Sequence, residues 1–524
     1  METNIISNML NDEKTLLEEA KHEIKDAYLE DDRPWVVGYS GGKDSTVVCQ
    51  LVFDSLKELD TKDLHKKVYI ISSDTLVETP LIIQSINTTL HRIQTEALEI
   101  GLPIETHKVK PEPSESFWGN IIGKGYPSPN QQMRWCTDRM KIDPANKFVK
   151  DKVSKFGEVI MLLGVREDES ATRANVIKSH SVEGKRMMKH STLPNAYVFA
   201  PIKKFSLDDV WEYLLNHNSP WGDDNTELYK LYQDSSSGEC PLVVDKTVKE
   251  SAGSCGNSRF GCWTCTVVNE DKALNGFIEN GEEWMRPLLE FRNWLAEIRD
   301  DRTRRMKYRM NGQIYFLEVQ TEEFNGTLHA VIPKKGSRAK SVLPISEENF
   351  NIVEENNLST YLKKNNVDLS APGDDNILII KNDGKYAQLG LGPFTMETRQ
   401  EILRYLLETQ RDLNHPTDPN FDLIQEEELR VIRKYWLEKG DWEDSLPTLY
   451  NEVMGADLDW DYNDQPLFDG DQITDLEILC EQNDIDFKLV KKLVSIEKDY
   501  SGYKVKRGIY DEIEKALTQD YLHL

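Results

Sequence analysis

Long apolar runs are missing from this 524-residue sequence. The longest, such as VIMLLGV at 159–165, falls far short of the roughly 20 residues a membrane helix needs. The opening METNIISNMLNDEK carries neither a basic n-region nor a long apolar h-region, so no signal peptide is expected and the expected compartment is cytoplasmic. Cysteine is scarce, at seven residues. An odd, small number in a reducing compartment argues against a disulfide framework and leaves metal binding or catalysis for any tight cluster. Positive charge is also short: 64 Lys and Arg face 91 Asp and Glu, a formal net charge of −27. A protein that grips nucleic acid unaided is usually basic, because phosphate neutralisation supplies most of the affinity. This chain would meet nucleic acid through a local basic patch or a partner, and anionic membranes are disfavoured. Internal repeats and low-complexity tracts are lacking.

What is present is a chain too long for one ordinary core, so two or three domains are expected. Residues 35–216 alternate strand and helix patterns. WVVGYS, KVYIISSD, IETHKVK and VIMLLGV read as strands. Helices are expected over 43–58, after Thr79-Pro80, near 143–156, and after a Ser206 cap. Such alternation predicts an α/β fold with a doubly wound parallel sheet, whose ligands sit at the C-terminal ends of the strands. The expected organisation is an N-terminal helix (1–30), a nucleotide domain (31–220), a cysteine-rich segment (221–275) and a mixed, mostly helical C-terminal region (276–524). In that last region, Asn-Gly at 325–326 and Asp383-Gly384 predict hairpin turns.

YSGGKDSTVV (39–48) follows the first strand directly. A Walker A loop fails here, because Val37 takes its first glycine position and Asp44 its Ser/Thr position. The dinucleotide fingerprint fails as well, since Lys43-Asp44-Ser45 follows the glycines. What remains is an anion cradle. Gly41 and Gly42 allow close backbone approach, the start of the helix presents N–H groups, and Ser40, Ser45 and Thr46 add hydroxyls. Arg166 and Arg173 follow the fourth strand and are expected on the ligand side, where a planar guanidinium suits phosphate oxygens.

This loop resembles the pyrophosphate-binding loop of the ATP pyrophosphatase superfamily, which cuts ATP between its α- and β-phosphates. SSDTLVETP resembles that family's second-strand segment, which implies a place near the nucleotide for Asp74. RWCTDRMKIDP (134–144), LGVREDESATR (163–173) and PIKKFSLDDVWEYL (201–214) resemble segments of the phosphoadenylyl-sulfate (PAPS) reductase branch. In the first of these, Met140 separates Arg139 from Lys141, a departure from the family pattern. The resemblance implies ATP and Mg²⁺ as cofactors, with Lys43, Asp44 and Arg166 at the reacting phosphates.

Cys240, Cys255, Cys262 and Cys265 form a C-x14-C-x6-C-x2-C run on a loop-rich segment. Four thiolates at this spacing suit an Fe–S cluster or an all-cysteine zinc site, and spacing alone does not choose. The reductase resemblance favours a [4Fe–4S] cluster. Cys136 stands apart between Arg134 and Arg139, which would favour its thiolate. It is read either as a sulfur-carrying nucleophile or as a buried thiol.

The whole layout resembles the DndC family of DNA phosphorothioation sulfurtransferases, which combines this core, a cysteine-rich insert and an added domain. That resemblance implies DNA as substrate, a cysteine desulfurase as sulfur donor, and DndD- and DndE-like partner proteins. Adenylyl-sulfate reduction, tRNA thiolation and a non-catalytic ATP sensor are the other readings. The basic runs 302–309 and 334–340 are candidate DNA contacts. DLDWDYNDQPLF (457–468) begins like a calcium loop, but Tyr462 and Phe468 replace the needed Gly and Glu, so no calcium is expected.

Overall fold

The computed structural model describes residues 2–169, 187–190, 192–234, 261–333, 340–367, 369, 376–419, 421–441, 443–456, 458, 460, 470–483, 485–487, 489–490, 493–494, 496 and 509–518. Arg173, Cys240, Cys255, most of 334–340 and most of 457–468 lie outside the described residues. The chain divides into two compact units: residues 1–112 with 131–289, and residues 113–130 with 290–524.

The first unit begins with helix α1 (Glu2–Leu29) and then follows the alternation read from the sequence. Strands β1 (Trp35–Gly38), β2 (Val68–Ser73), β3 (Ile104–Val109) and β4 (Val159–Leu162) are separated by helices α2 (Lys43–Lys57), α3 (Pro80–Glu99) and α4 (Asp143–Phe156). Two further strands, β5 (Met188–Lys189) and β6 (Ala196–Phe199), complete a six-stranded sheet of order β3-β2-β1-β4-β6-β5. All pairings are parallel except β5 on β6. Successive residues Trp35, Val36 and Val37 are all buried, so both faces of β1 are covered, as a parallel sheet requires. On one face Val149 and Phe148 of α4 pack on Val36, Tyr69, Ile71 and Met161. On the other, Tyr28 of α1 meets Trp35 edge-on at 5.2 Å. This is the predicted α/β fold. Helix α5 (Leu207–Asn216) starts at Ser206 in a reciprocal capping box with Asp209, and α6 (Asn225–Asp234) and α7 (Lys272–Glu279) follow.

His65 lies just before β2 with Nδ1 2.7 Å from the Asp63 carbonyl and Nε2 3.0 Å from the Asp31 carbonyl. Only the protonated ring donates to both. The Asp31 carbonyl and then the Asp63 carbonyl raise its pKa, against burial and Lys66, with Asp32 adding to the rise. A raised folded value makes the stabilisation full below about 6.5, the ordinary histidine value, and lost as pH climbs through the raised one. His65→Gln is expected to flatten that step when urea midpoints are measured across neutral pH; an unchanged pH profile would refute the assignment.

The second unit carries helix α8 (Arg286–Ile298), inside which the division falls, and two small sheets. Strands β8 (Gln320–Phe324), β9 (Thr327–Pro333) and β10 (Lys340–Pro344) form an antiparallel sheet of order β10-β9-β8. Their first turn uses Asn325 and Gly326 at φ +50° and +76°, as a type I′ hairpin demands. Strands β11 (Asn351–Glu354), β12 (Ile377–Ile380) and β13 (Tyr386–Leu389) pair with β7 (Phe316–Glu318) in the order β11-β12-β13-β7. Helices α9 (Leu358–Lys364), α10 (Met396–Asp412), α11 (Glu426–Glu438), α12 (Ser445–Met454), α13 (Gly470–Gln482) and α14 (Ile509–Thr518) make the C-terminal part mostly helical.

Residues 113–130 belong to this second unit. Trp118 is fully buried and donates to the Leu423 carbonyl at 2.7 Å, and Trp436 donates to the Ile122 carbonyl at 2.9 Å. Arg399 donates to the carbonyls of Ile122 and Gly123.

The basic run 302–309 is corrected by the structure. Arg305 and Lys307 are each 4% exposed. Arg305 donates to the carbonyls of Gly392, Leu391 and Arg299, and Lys307 to those of Arg302 and Arg305. Arg302 donates to the Leu389 carbonyl and Arg304 pairs with Glu401. These cations brace the second unit and are spent on internal partners.

Candidate nucleotide and thiol site

Strands β1, β2 and β4 run to the same edge of the sheet, and the loops leaving that edge carry the candidate residues. From β1 the chain proceeds to β2 and β3 on one side and returns to β4 and β6 on the other. The switch point therefore lies between β1 and β4, the place where open α/β sheets bind ligands.

After β1 the chain turns through Ser40, Gly41 and Gly42 into α2. Gly41 takes φ +73°, which a side chain would resist, and Gly42 caps α2 in an extended conformation. Ser45 Oγ lies 3.1 Å from Ser40 Oγ and receives the Ser40 N–H at 3.2 Å. Ser45 and Thr46 both donate to the Gly42 carbonyl at 2.9 Å. Their hydroxyls thus brace the loop. The Lys43 N–H points outward to the Tyr232 hydroxyl at 3.3 Å, and Lys43 Nζ stands 5.3 Å from the same ring.

The loop after β4 abuts this turn. A Cβ on Gly164 would stand 2.8 Å from the Asp44 carbonyl. Arg166, 4% exposed, donates from Nε to Asp44 Oδ1 at 2.6 Å, while Lys43 Nζ holds Asp44 Oδ2 at 3.2 Å. Its Nη1 is buried without a hydrogen-bond partner among the described residues; the nearest carboxylate, Asp168, is 3.8 Å away. A desolvated guanidinium donor without an acceptor favours an anion strongly. The cradle of backbone N–H groups, Lys43 and Arg166 suits a phosphate.

The loop after β2 carries the second half of the site. Asp74 is buried, accepts from the Leu76 N–H at 3.0 Å, and has Lys108 and Lys110 at 3.6 and 3.8 Å from Oδ2. Glu78 and Cys262 pair as an isolated antiparallel bridge. Trp263 N–H donates to the Val77 carbonyl at 3.0 Å, and Thr79 donates from both N–H and hydroxyl to the Gly261 carbonyl at 3.2 and 2.8 Å. The sequence reads Thr79 as a helix cap; its hydroxyl instead fastens the cysteine segment. Cys262 and Cys265 close a turn, with Cys265 N–H donating to the Cys262 carbonyl at 3.0 Å. The Cys262 sulfur lies 3.3 Å from the Thr75 hydroxyl and 4.0 Å from Glu78 Oε1.

Cys136 heads a π-helical turn, Thr137–Ile142. Its i→i+5 bonding takes an extra residue into the turn, and buried Met140 is the residue that separates Arg139 from Lys141. Lys141 is thereby set 3.3 Å from Glu78. The negative charge of Cys262, then Glu78 and Cys136, pushes the Lys141 pKa up. Burial, then Cys265, pushes the Cys136 thiol up, with only smaller lowering from Thr137 and Lys141. The arginine-favoured thiolate expected from sequence is therefore outweighed by burial. Cys262 is raised by burial in the same way. Cys136, Cys262 and Cys265 share one electrostatic neighbourhood with Lys141 and Glu78. Among the described residues no three Cys, His, Asp or Glu side chains already stand in a metal-binding group. Thiolate donors beside a lysine are chemically suited to an Fe–S cluster or zinc.

Comparison with known families bears on this geometry. Residues 34–268 match the phosphoadenosine phosphosulfate reductase domain. This PAPS reductase-like domain takes in all six strands of the first unit together with Cys262 and Cys265. Residues 471–518 match a small protein found in certain Dnd DNA modification systems. The chain is 25% identical over 271 residues to the uncharacterized protein MJ0066 of Methanocaldococcus jannaschii, a match covering 51% of this chain and 44% of that one. It thus spans less than half of that relative. Among solved structures, the PAPS reductase of Candida auris in a phosphate complex is 15% identical, covering 39% of this chain and 82% of that one at a TM-score of 0.26. The U34-tRNA thiolase NcsA of Methanococcus maripaludis with its [4Fe–4S] cluster is 14% identical, covering 54% and 80% at 0.26. No helix among the described residues is long and apolar enough to cross a membrane.

Thr75, Glu78 and Tyr232 were not legible as site residues. Tyr232 sits in ELYKLYQD, an ordinary amphipathic stretch, and only the fold brings its hydroxyl to the Lys43 N–H.

Proposed function

We propose that this chain is an ATP-pyrophosphatase-type sulfurtransferase of DNA phosphorothioation. ATP is cut between its α- and β-phosphates, AMP is joined to a non-bridging oxygen of a DNA backbone phosphate, and pyrophosphate leaves. Sulfur originating from a cysteine desulfurase then replaces that oxygen, and AMP departs with it. Lys43, Asp44 and Arg166, with the Ser40–Thr46 loop, Asp74 and Arg173, hold ATP and its Mg²⁺. The observation that carries the reading is the Glu78–Cys262 bridge, which fastens a thiol pair beside the loop after β2, one strand from the phosphate cradle. A [4Fe–4S] cluster held by Cys240, Cys255, Cys262 and Cys265, or with Cys136 in place of Cys240, would supply a soft, redox-active sulfur-binding centre. The Dnd-system match at 471–518 supports DNA over tRNA as acceptor and DndD- and DndE-like proteins as partners.

Protein purified anaerobically is expected to release AMP and pyrophosphate from ATP; ADP and phosphate would reject the reading. Cys136→Ser is expected to keep pyrophosphate release and abolish phosphorothioate in DNA, read by mass spectrometry of digested DNA. Loss of iron from that variant would make Cys136 a cluster ligand. Normal phosphorothioate would return it to a buried structural thiol.

A further inference from the structure

Three lysines line the β3 side of the site, and the nucleotide does not account for two of them. Lys108 ends β3 and Lys110 lies just beyond it. Both face Asp74 Oδ2, at 3.6 and 3.8 Å, with side chains 35% and 49% exposed. Lys141, 44% exposed, faces Glu78 at 3.3 Å. The carboxylates beneath them are nearly closed off, at 9% and 8% side-chain exposure. At 3.6–3.8 Å the ammonium groups of Lys108 and Lys110 are attracted to Asp74 without a hydrogen bond, so their N–H donors stay available to a ligand. Three ammoniums over two carboxylates leave a formal charge of +1, in a chain whose total is −27.

The strand order turns this into a direction. Reading the sheet edge as β4-β1-β2-β3, the phosphate cradle lies at β4 and β1, the thiols at the loop after β2, and the lysines at β3. Sulfur transfer to a phosphodiester needs two anions with the thiol between them. We propose that Lys108 and Lys110, assisted by Lys141, form a second anion subsite that takes a backbone phosphate of the acceptor DNA. The inference rests on the sulfurtransferase reading for the identity of its ligand. It explains how an acidic chain meets DNA at the reacting centre, once the run 302–309 is committed to internal hydrogen bonds.

The test is binding of a short labelled DNA duplex to the full-length protein by fluorescence anisotropy, across salt from about 50 to 200 mM. Lys108→Gln/Lys110→Gln keeps side-chain donors over Asp74 and removes both charges. It is expected to weaken binding at least about tenfold at low salt and to flatten the slope of log Kd against log salt by about two, one per lost phosphate contact. Lys62→Gln, at an exposed lysine before β2, serves as the control and is expected to leave the slope intact. A slope unchanged in the double variant with an unaltered melting curve, or no duplex binding by the parent protein, would overturn the subsite. Pyrophosphate release from ATP, assayed separately, reports on the catalytic reading alone. A folded RNA that binds more tightly than the duplex and shows the same loss would overturn DNA as the occupant.

Discussion

Arg166→Met is expected to slow pyrophosphate release from ATP by about 10²–10³-fold, the size associated with removing one preorganised donor to developing negative charge. The reason lies in how the guanidinium is spent. Nε is fixed on Asp44 Oδ1, which orients the group, while Nη1 is buried and lacks a hydrogen-bond partner among the described residues. Desolvating such a donor is costly unless an anion repays it. Methionine keeps the length and apolar volume and removes both the charge and the fork. Asp44→Asn separates orientation from charge, because its carbonyl oxygen still accepts from Nε; a smaller loss is expected there. Steady-state assays of pyrophosphate, with a melting curve for each variant, decide the matter. A less than tenfold change in folded Arg166→Met would remove Arg166 from the reacting phosphates.

Gly392→Ala is expected to destabilise the second unit by about 3 kcal/mol or more, at the upper end of overpacking effects. A Cβ there would stand 1.6 Å from the Tyr308 carbonyl oxygen, so backbone must move. The same residue donates its N–H to the Met306 carbonyl at 2.7 Å and accepts from Arg305 Nε at 2.5 Å. Any shift therefore breaks the bonds that satisfy a buried cation. Gly390→Ala provides the contrast. Its Cβ would meet the Tyr315 ring at 2.3 Å, and a ring can turn at the cost of its 2.8 Å bond to the Leu391 carbonyl. A smaller loss is expected. Urea unfolding with hydrogen exchange over residues 305–316 and 387–395 measures both; equal effects at the two glycines would refute the backbone argument.

The parallel sheet was legible because β1, β2 and β4 are continuous apolar runs bounded by polar turns, and a buried strand has no other option. β5 and β6 were not. Two and four residues long, they offer no period to read. The anion loop announced itself through residue types that a plain strand–helix turn does not need. The fastening of the cysteine segment did not, because a bridge between Glu78 and Cys262 joins residues 184 apart in sequence. Arg305 and Lys307 misled for a physical reason: charge in a sequence reads as solvent exposure, and backbone carbonyls that desolvate a cation leave no pattern.

The stretch 113–130 has a consequence for how the chain is made. Phe117, Trp118, Ile121 and Ile122 are essentially fully buried in the second unit, and the Trp118 partner Leu423 is 305 residues downstream. At translation rates of about 5–20 residues per second, that partner leaves the ribosome on the order of 15–60 s later. For that interval a strongly apolar stretch waits in the middle of a half-built sheet, with β1, β2 and β3 already synthesised and β4 still to come. A chaperone that shields this stretch, or translation slow enough to keep it from meeting another nascent chain, would be part of the route to the folded protein. A fragment ending at residue 289 would never acquire the partner at all.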